Sequence, residues 1–415
     1  MPKRSSNANG AKKTGTGTRK RAKKEQTESN PIPTIRDSKY YFEDGSVTIR
    51  VRDVVFKVHA SLLKAHSEDF CNNYNLCTNR DDTLVFGGTC DEDAIVIPDI
   101  EPSQFRNLMK VIYCLPSNSL ALTLNAPNAV VGNFDSCLDI ALLSHKFAME
   151  NLEQWAKQQL TTLVTDSGKE LADGFDDYQL REDDAQTQDD LQTEWDGVGI
   201  PPAASYGRFR FVEAICYAKT ISDEDLFHGI LVAAQCCYAC SNVEFALSFF
   251  RIKDIHKKAP SLYGFLFLLL LQFGNSVWMR DEFTQEDRMA LFSAQSFLTP
   301  LPQTLKKSVL TPLFEKSRTE DFLGILDEHK HEKCPGEIAS HWAKAFPVSY
   351  YKEVNSAQFS ASIDTLVKLP SRRFDLATRL RYIKCQPCRV KILKQLDRDI
   401  QELYSRVGGY YKAYD

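Results

Sequence analysis

Residues 44–70 read DGSVTIRVRDVVFKVHASLLKAHSEDF, and a turn followed by a change of period inside them decides the fold. Val47, Ile49 and Val51 alternate with Thr48, Arg50 and Arg52, and Val54, Phe56 and Val58 alternate again after an Arg52-Asp53 turn. That pattern is a β-hairpin with one buried face. From His59 onward the period changes to that of a short helix, with Leu62 and Leu63 directed inward. Ser67, followed by Glu68 and Asp69, reads as the N-cap of a second helix, its acids placed where the helix dipole favours them. Ser67 is thereby committed to backbone. His59 has no nucleophile with an orienting base near it in sequence, so both residues read as architectural.

Downstream, DAIVIPDI (93–100) supplies another strand, and Pro102 opens a helix that buries Phe105, Leu108, Met109 and Ile112 at i, i+3, i+4, i+7 spacing. SCLDIALLSHKFAMENLEQWAKQQL (136–160) reads as two helices broken near Ala148-Met149, the second packing through Leu152, Trp155 and Ala156. Residues 38–163 therefore form a mixed α/β module.

Charge divides the rest of the chain. Residues 1–28 carry a net charge of +7 and residues 164–199 a net charge of −10, against −4 for all 415 residues. Residues 1–37 have few large apolar side chains and are expected to be a disordered basic tail. Lys3 and Arg4, then Arg19, Lys20, Arg21, Lys23 and Lys24, are nuclear-targeting candidates. With no interleaved aromatics and no DNA-reading fold, they predict no specific nucleic-acid binding. Residues 164–203 are expected to be an acidic linker, closed by Pro201-Pro202. Twelve cysteines at irregular spacing behind a basic, polar start point to a reducing compartment, nuclear or cytoplasmic, rather than a disulfide framework. The longest apolar run, LYGFLFLLLLQF (262–273), falls short of the roughly 20 residues a membrane span needs and reads as a buried helix.

The first module resembles the BTB/POZ domain. The residues that carry the resemblance are Phe56, His59, Leu62, Leu63, Ser67 and Phe70, then Ile97-Pro98-Asp99 leading to Phe105, Leu108, Met109, Ile112 and Tyr113. The resemblance implies structural roles for the histidine and serine, homodimerisation through the first helices, and an adaptor role that docks a cullin ubiquitin ligase. Two departures qualify it. Ser46 and Ala60 stand where zinc-finger transcriptional members carry an Asp and a basic residue that line a corepressor pocket. The stretch NLCTNRDDTLVFGGTCDED (75–93) lacks a clean version of the hydrophobic-x-Glu motif of cullin binders. Phe70 and Tyr74, four apart on one helical face, are the protein-interaction candidates.

Residues 204–415 show recurrent helix starts at Ser222-Asp223-Glu224-Asp225, Thr284-Gln285-Glu286-Asp287 and Thr319-Glu320-Asp321, with almost no strand alternation. They predict an all-α domain of eight to ten helices around 262–273. Cys236 and Cys237 read as small buried hydrophobes. In the last helix Leu393, Leu396, Ile400, Leu403 and Val407 are spaced 3, 4, 3, 4, too short a seam for an independent coiled coil, so it is expected to pack on its own domain. Cys385 and Cys388 form a CxxC, and His329, His331 and Cys334 lie upstream. Thiolate and imidazole are the ligands tetrahedral zinc takes, so these five residues are metal candidates beside the plainer reading of packed cysteines. No cofactor other than such a structural zinc is expected. CPGEIASHWAKAF (334–346), CQPCRVKILKQLDRDI (385–400) and the closing GGYYKAY are similar to the C-terminal region of BTB proteins of mushroom-forming fungi.

The fold class expected is thus an α+β BTB/POZ domain followed by an all-α C-terminal domain. The chain has no phosphate loop, dinucleotide fingerprint, nucleophile elbow, kinase signature or zincin helix. The expectation is a non-enzymatic, homodimeric protein-interaction protein, acting as a cullin-ligase adaptor or alternatively as a nuclear scaffold in transcription or chromatin.

Overall fold

The computed structural model describes residues 35–74, 88–114, 130–171, 206–239, 241–307, 309–329 and 334–412. Strands β2 (Val47–Val51) and β3 (Val54–Val58) form the antiparallel hairpin, with Val51 opposite Val54 and Arg52 turning the chain at φ 52. Strand β1 (Ile35–Tyr41) lies parallel to β3, and β4, only Ile95–Val96, lies parallel to β2, giving the order β1-β3-β2-β4. Strand β1 therefore takes in residues 35–37, part of the expected tail. Asp37 explains why: its buried carboxylate accepts the Lys39 and Tyr40 N–H groups and pairs with Arg106 Nε at 2.6 Å, fastening the strand to the third helix. Desolvation raises the Asp37 pKa, but these hydrogen bonds outweigh it and hold the carboxyl below its ordinary value.

Helices α1 (Ala60–His66) and α2 (Glu68–Asn73) meet at Ser67, whose Oγ accepts the Phe70 N–H at 3.0 Å. Helix α3 (Pro102–Ile112) begins with a capping box between Glu101 and Gln104. Helices α4 (Val130–Lys146) and α5 (Glu150–Asp166) turn at Ala148, φ 53. The sheet packs on α2 and α3 through Phe56, Phe70, Phe105, Leu108 and Met109, joined by Leu143 of α4 and by Phe147 just beyond its end. Leu63 is buried, but Leu62 is 37% exposed, contrary to its expected inward direction. The two are adjacent in sequence and project about 100° apart on a helix, so one inward leucine leaves the other at the surface.

The C-terminal region holds fourteen α-helices among the described residues, more than the sequence suggests, because several are single turns. They are α6 (Tyr206–Thr220), α7 (Glu224–Tyr238), α8 (Val243–Phe250), α9 (Ile255–Lys258), α10 (Pro260–Phe273), α11 (Asn275–Trp278), α12 (Gln285–Phe297), α13 (Gln303–Lys306), α14 (Thr319–Leu323), α15 (Cys334–Ala345), α16 (Val348–Val354), α17 (Phe359–Val367), α18 (Leu369–Leu380) and α19 (Gln386–Gly408). Thr284 caps α12 in a full capping box. Helix α7 is capped by Asp223 rather than Ser222, and Thr319 bonds back to the Lys316 carbonyl instead of capping α14. Helix α10 is the apolar centre and ends at Gly274, φ 79; no helix among the described residues is long and apolar enough to cross a membrane. Helix α19 lies along α10, and its five seam residues and Tyr404 are all buried in the helical core.

Residues 164–171, expected to open the acidic linker, belong to the folded part. Helix α5 continues to Asp166, residues 168–171 are helical, and Leu171 is buried. Phe134, Cys137, Leu138 and Ala141 of α4, with Ala156, Leu160 and Val164 of α5, share one apolar core with α6, α7 and α18. The α4–α5 pair thus faces the sheet on one side and the helical region on the other. Residues 1–34 and 172–205, which hold the basic cluster and most of the acidic segment, lie outside the described residues.

Candidate functional site

The surface of the N-terminal module is best read from the polar residues that hold it together. Tyr113, at the end of α3, accepts the backbone N–H of His59 at 2.9 Å, and its hydroxyl lies 2.9 Å from His59 Nδ1. The other ring nitrogen, Nε2, lies 3.3 Å from an Asp44 carboxylate oxygen. Phe42 stacks on Tyr113 at 4.9 Å, and burial raises the pKa of the phenol. His59 therefore fastens the start of α1 to the end of α3. Ser46 Oγ accepts the Ala60 N–H at 2.9 Å beside it.

With these groups turned to architecture, the outer side of α1 offers Ser61, Leu62, Lys64 and Ala65, all exposed. Two of these are small, which permits close approach of another helix. The outer strands β1 and β4 present the exposed Ile35 and Val96 at the sheet edges, where unpaired backbone is a template for another strand.

The two aromatic interaction candidates behave differently. Phe70 is a core residue, 1% exposed and packed on Phe147 at 4.5 Å, because its helix is short and this ring is what seats it; it is not a surface anchor. Tyr74 is half-buried against Phe70 at 5.0 Å, and desolvation raises its hydroxyl pKa. A polar cleft of about 350 Å³ lies next to them, between the starts of α2 and α5, lined by His66, Glu68, Asp69, Glu150 and Asn151. Most of the stretch compared with the cullin-binding motif, residues 75–87, lies outside the described residues.

Two buried arginines, Arg210 and Arg373, join the modules. Arg210 of α6 gathers Asp135 and Asp139 of α4 with Glu213. Arg373 of α18, 1% exposed, makes a two-pronged pair with Asp397 of α19 at 2.6 and 2.7 Å, and donates to the Thr165 carbonyl of α5 at 2.9 Å. Sequence reading missed both, since partners up to 208 residues apart leave no local pattern.

The structure also brings together three of the five metal candidates. The ligand atoms of Cys334, Cys385 and Cys388 all lie within 4.8 Å of one another. Cys334 is the first residue of α15, Cys385 the N-cap of α19, and Cys388 lies in the first turn of α19. Burial pushes the Cys388 thiol up to about 12 and raises that of Cys334. His331 and the side chain of His329 lie outside the described residues. Cys236 and Cys237 are buried in the helical core.

Residues 41–162 match the family model of the BTB/POZ domain, a span that covers the hairpin, β4 and α1 to α4 with most of α5. No curated protein and no solved structure matches the chain. The chain therefore carries a BTB/POZ domain, a protein-interaction module, followed by a mostly helical region.

Proposed function

We propose that this chain is a non-catalytic interaction protein whose BTB/POZ domain pairs with a second copy through α1 and serves as the substrate adaptor of a cullin ubiquitin ligase. The observation that carries the reading is the exposed Leu62 on a helix whose other exposed residues include the small Ser61 and Ala65. The residues that look chemical, His59 and Ser67, are taken up by Tyr113 and by the α2 backbone. An adaptor must also hold its client-binding part in fixed relation to the ligase. The core shared by α4, α5 and the helical region, with Arg373 reaching the Thr165 carbonyl, supplies that rigidity.

The basic clusters from Lys3 to Lys24 favour a second reading, a nuclear scaffold acting without a ligase. Calorimetric titration of the full chain with the N-terminal domain of the cullin that BTB proteins use separates the two. Submicromolar binding is the result for an adaptor, and no heat at any accessible concentration is the result for a scaffold. A tagged chain lacking residues 1–26 tests the nuclear address, which predicts loss of nuclear enrichment.

A further inference from the structure

We infer that Cys334, Cys385 and Cys388 bind one thiophilic divalent cation, zinc by the chemistry of its ligands, which pins the start of α15 to the start of α19. The three sulfurs come from segments about fifty residues apart in sequence, yet all lie within 4.8 Å of one another, and none is in a disulfide. A tetrahedral zinc ion with bonds of about 2.3 Å places its sulfur ligands roughly 3.8 Å apart, so the cluster needs only a small contraction to close around the ion. Cys388 and Cys334 are buried and Cys385 is half-buried, which keeps the site shielded but open on one side.

The surroundings fit a thiolate site. Both helices begin at the cluster, α15 with Cys334 and α19 with Cys385 as its N-cap, so the partial positive charges of two helix starts face the sulfurs. Binding releases three protons as the thiols become thiolates, and the ion with three thiolates carries a net charge of −1, which those helix starts offset. Three protein ligands leave one position of the tetrahedron for a further donor.

The mechanical consequence follows from where the helices go. Helix α19 lies along α10 at the middle of the helical core, and α15 packs on α18. A metal ion at the helix starts locks the outer α15 onto that centre. The cluster is thus a structural clasp for the surface beyond α15.

Elemental analysis and cobalt substitution of the full chain test the inference. The expected result is about one zinc per chain as isolated under reducing conditions. Cobalt exchanged into the chain should show thiolate-to-metal charge-transfer absorption and the strong visible bands of a tetrahedral site. A Cys385→Ser, Cys388→Ser double variant should lose both, while Cys216→Ser, at an exposed cysteine elsewhere, should keep both. If the double variant fails to fold, the cobalt spectrum of the unaltered chain decides alone. Metal-free protein without the charge-transfer band, a spectrum unchanged by the double substitution, or a Cys385–Cys388 disulfide in the reduced preparation would each overturn the inference.

Discussion

His59 and Tyr113, 54 residues apart, are joined twice by one hydroxyl, which takes the His59 backbone N–H and pairs with its Nδ1, both at 2.9 Å. A histidine held in this way serves as a fastener between two helix ends. Tyr113→Phe keeps the ring stack on Phe42 and removes only the hydroxyl. It should destabilise the chain by about 1–2 kcal/mol, the range for stranding a partly buried donor. Denaturant unfolding measures this, and a change below a few tenths would mean that water replaces the hydroxyl.

Gly264 of α10 allows α19 to approach closely. A Cβ built there would lie 1.7 Å from the Tyr404 carbonyl oxygen and 2.6 Å from its carbon, both backbone atoms that cannot step aside. Gly264→Ala must push the central helices apart, at a cost of about 3 kcal/mol or more. Gly336 of α15 has nothing within 4 Å of its Cβ position, so Gly336→Ala should be neutral or slightly stabilising. Thermal midpoints of the two variants should therefore move far apart; equal midpoints would contradict the packing described.

Asp135 gives the junction between the modules a pH dependence. Burial, with the neighbouring Asp139 and Glu213 carboxylates and against the opposing pull of Arg210, raises its carboxyl to about 7. The folded chain then holds a proton that the unfolded chain releases near its ordinary value of about 4. Stability from this group is full below about 4 and is lost as pH rises to about 7. The side chain remains 24% exposed, so solvent softens the effect. Asp135→Asn, neutral throughout, should flatten the difference between thermal midpoints taken at about pH 5 and about pH 8. An unchanged slope would place the pH dependence elsewhere.

Local pattern made the hairpin, the Ser67 cap, the face of α3 and the seam of α19 legible in the sequence, because each is written within a few residues. Strand β1 was not legible: Arg36, Asp37, Ser38 and Lys39 give an edge strand no apolar alternation, and its order comes from Asp37 meeting Arg106 on α3. The side of α1 to which Leu62 turns was settled by which leucine the core accepts. The ligand types of the cysteine cluster were visible, but the meeting of Cys334 with Cys385 and Cys388 belongs to the packing of α15 and α19. The fusion of α4 and α5 with the helical region hid behind the acidic segment, whose charge reads as a boundary although the core crosses it.

Pairing through α1 is the central proposal for this chain. Multi-angle light scattering of the full chain and of its Leu62→Asp variant tests this most directly, since the substitution changes an exposed residue and leaves the buried Leu63 in place. Pairing through α1 predicts a dimer for the unaltered chain, near twice 47.1 kDa, and a folded monomer for the variant. A monomeric unaltered chain, or a variant that stays dimeric, would contradict it.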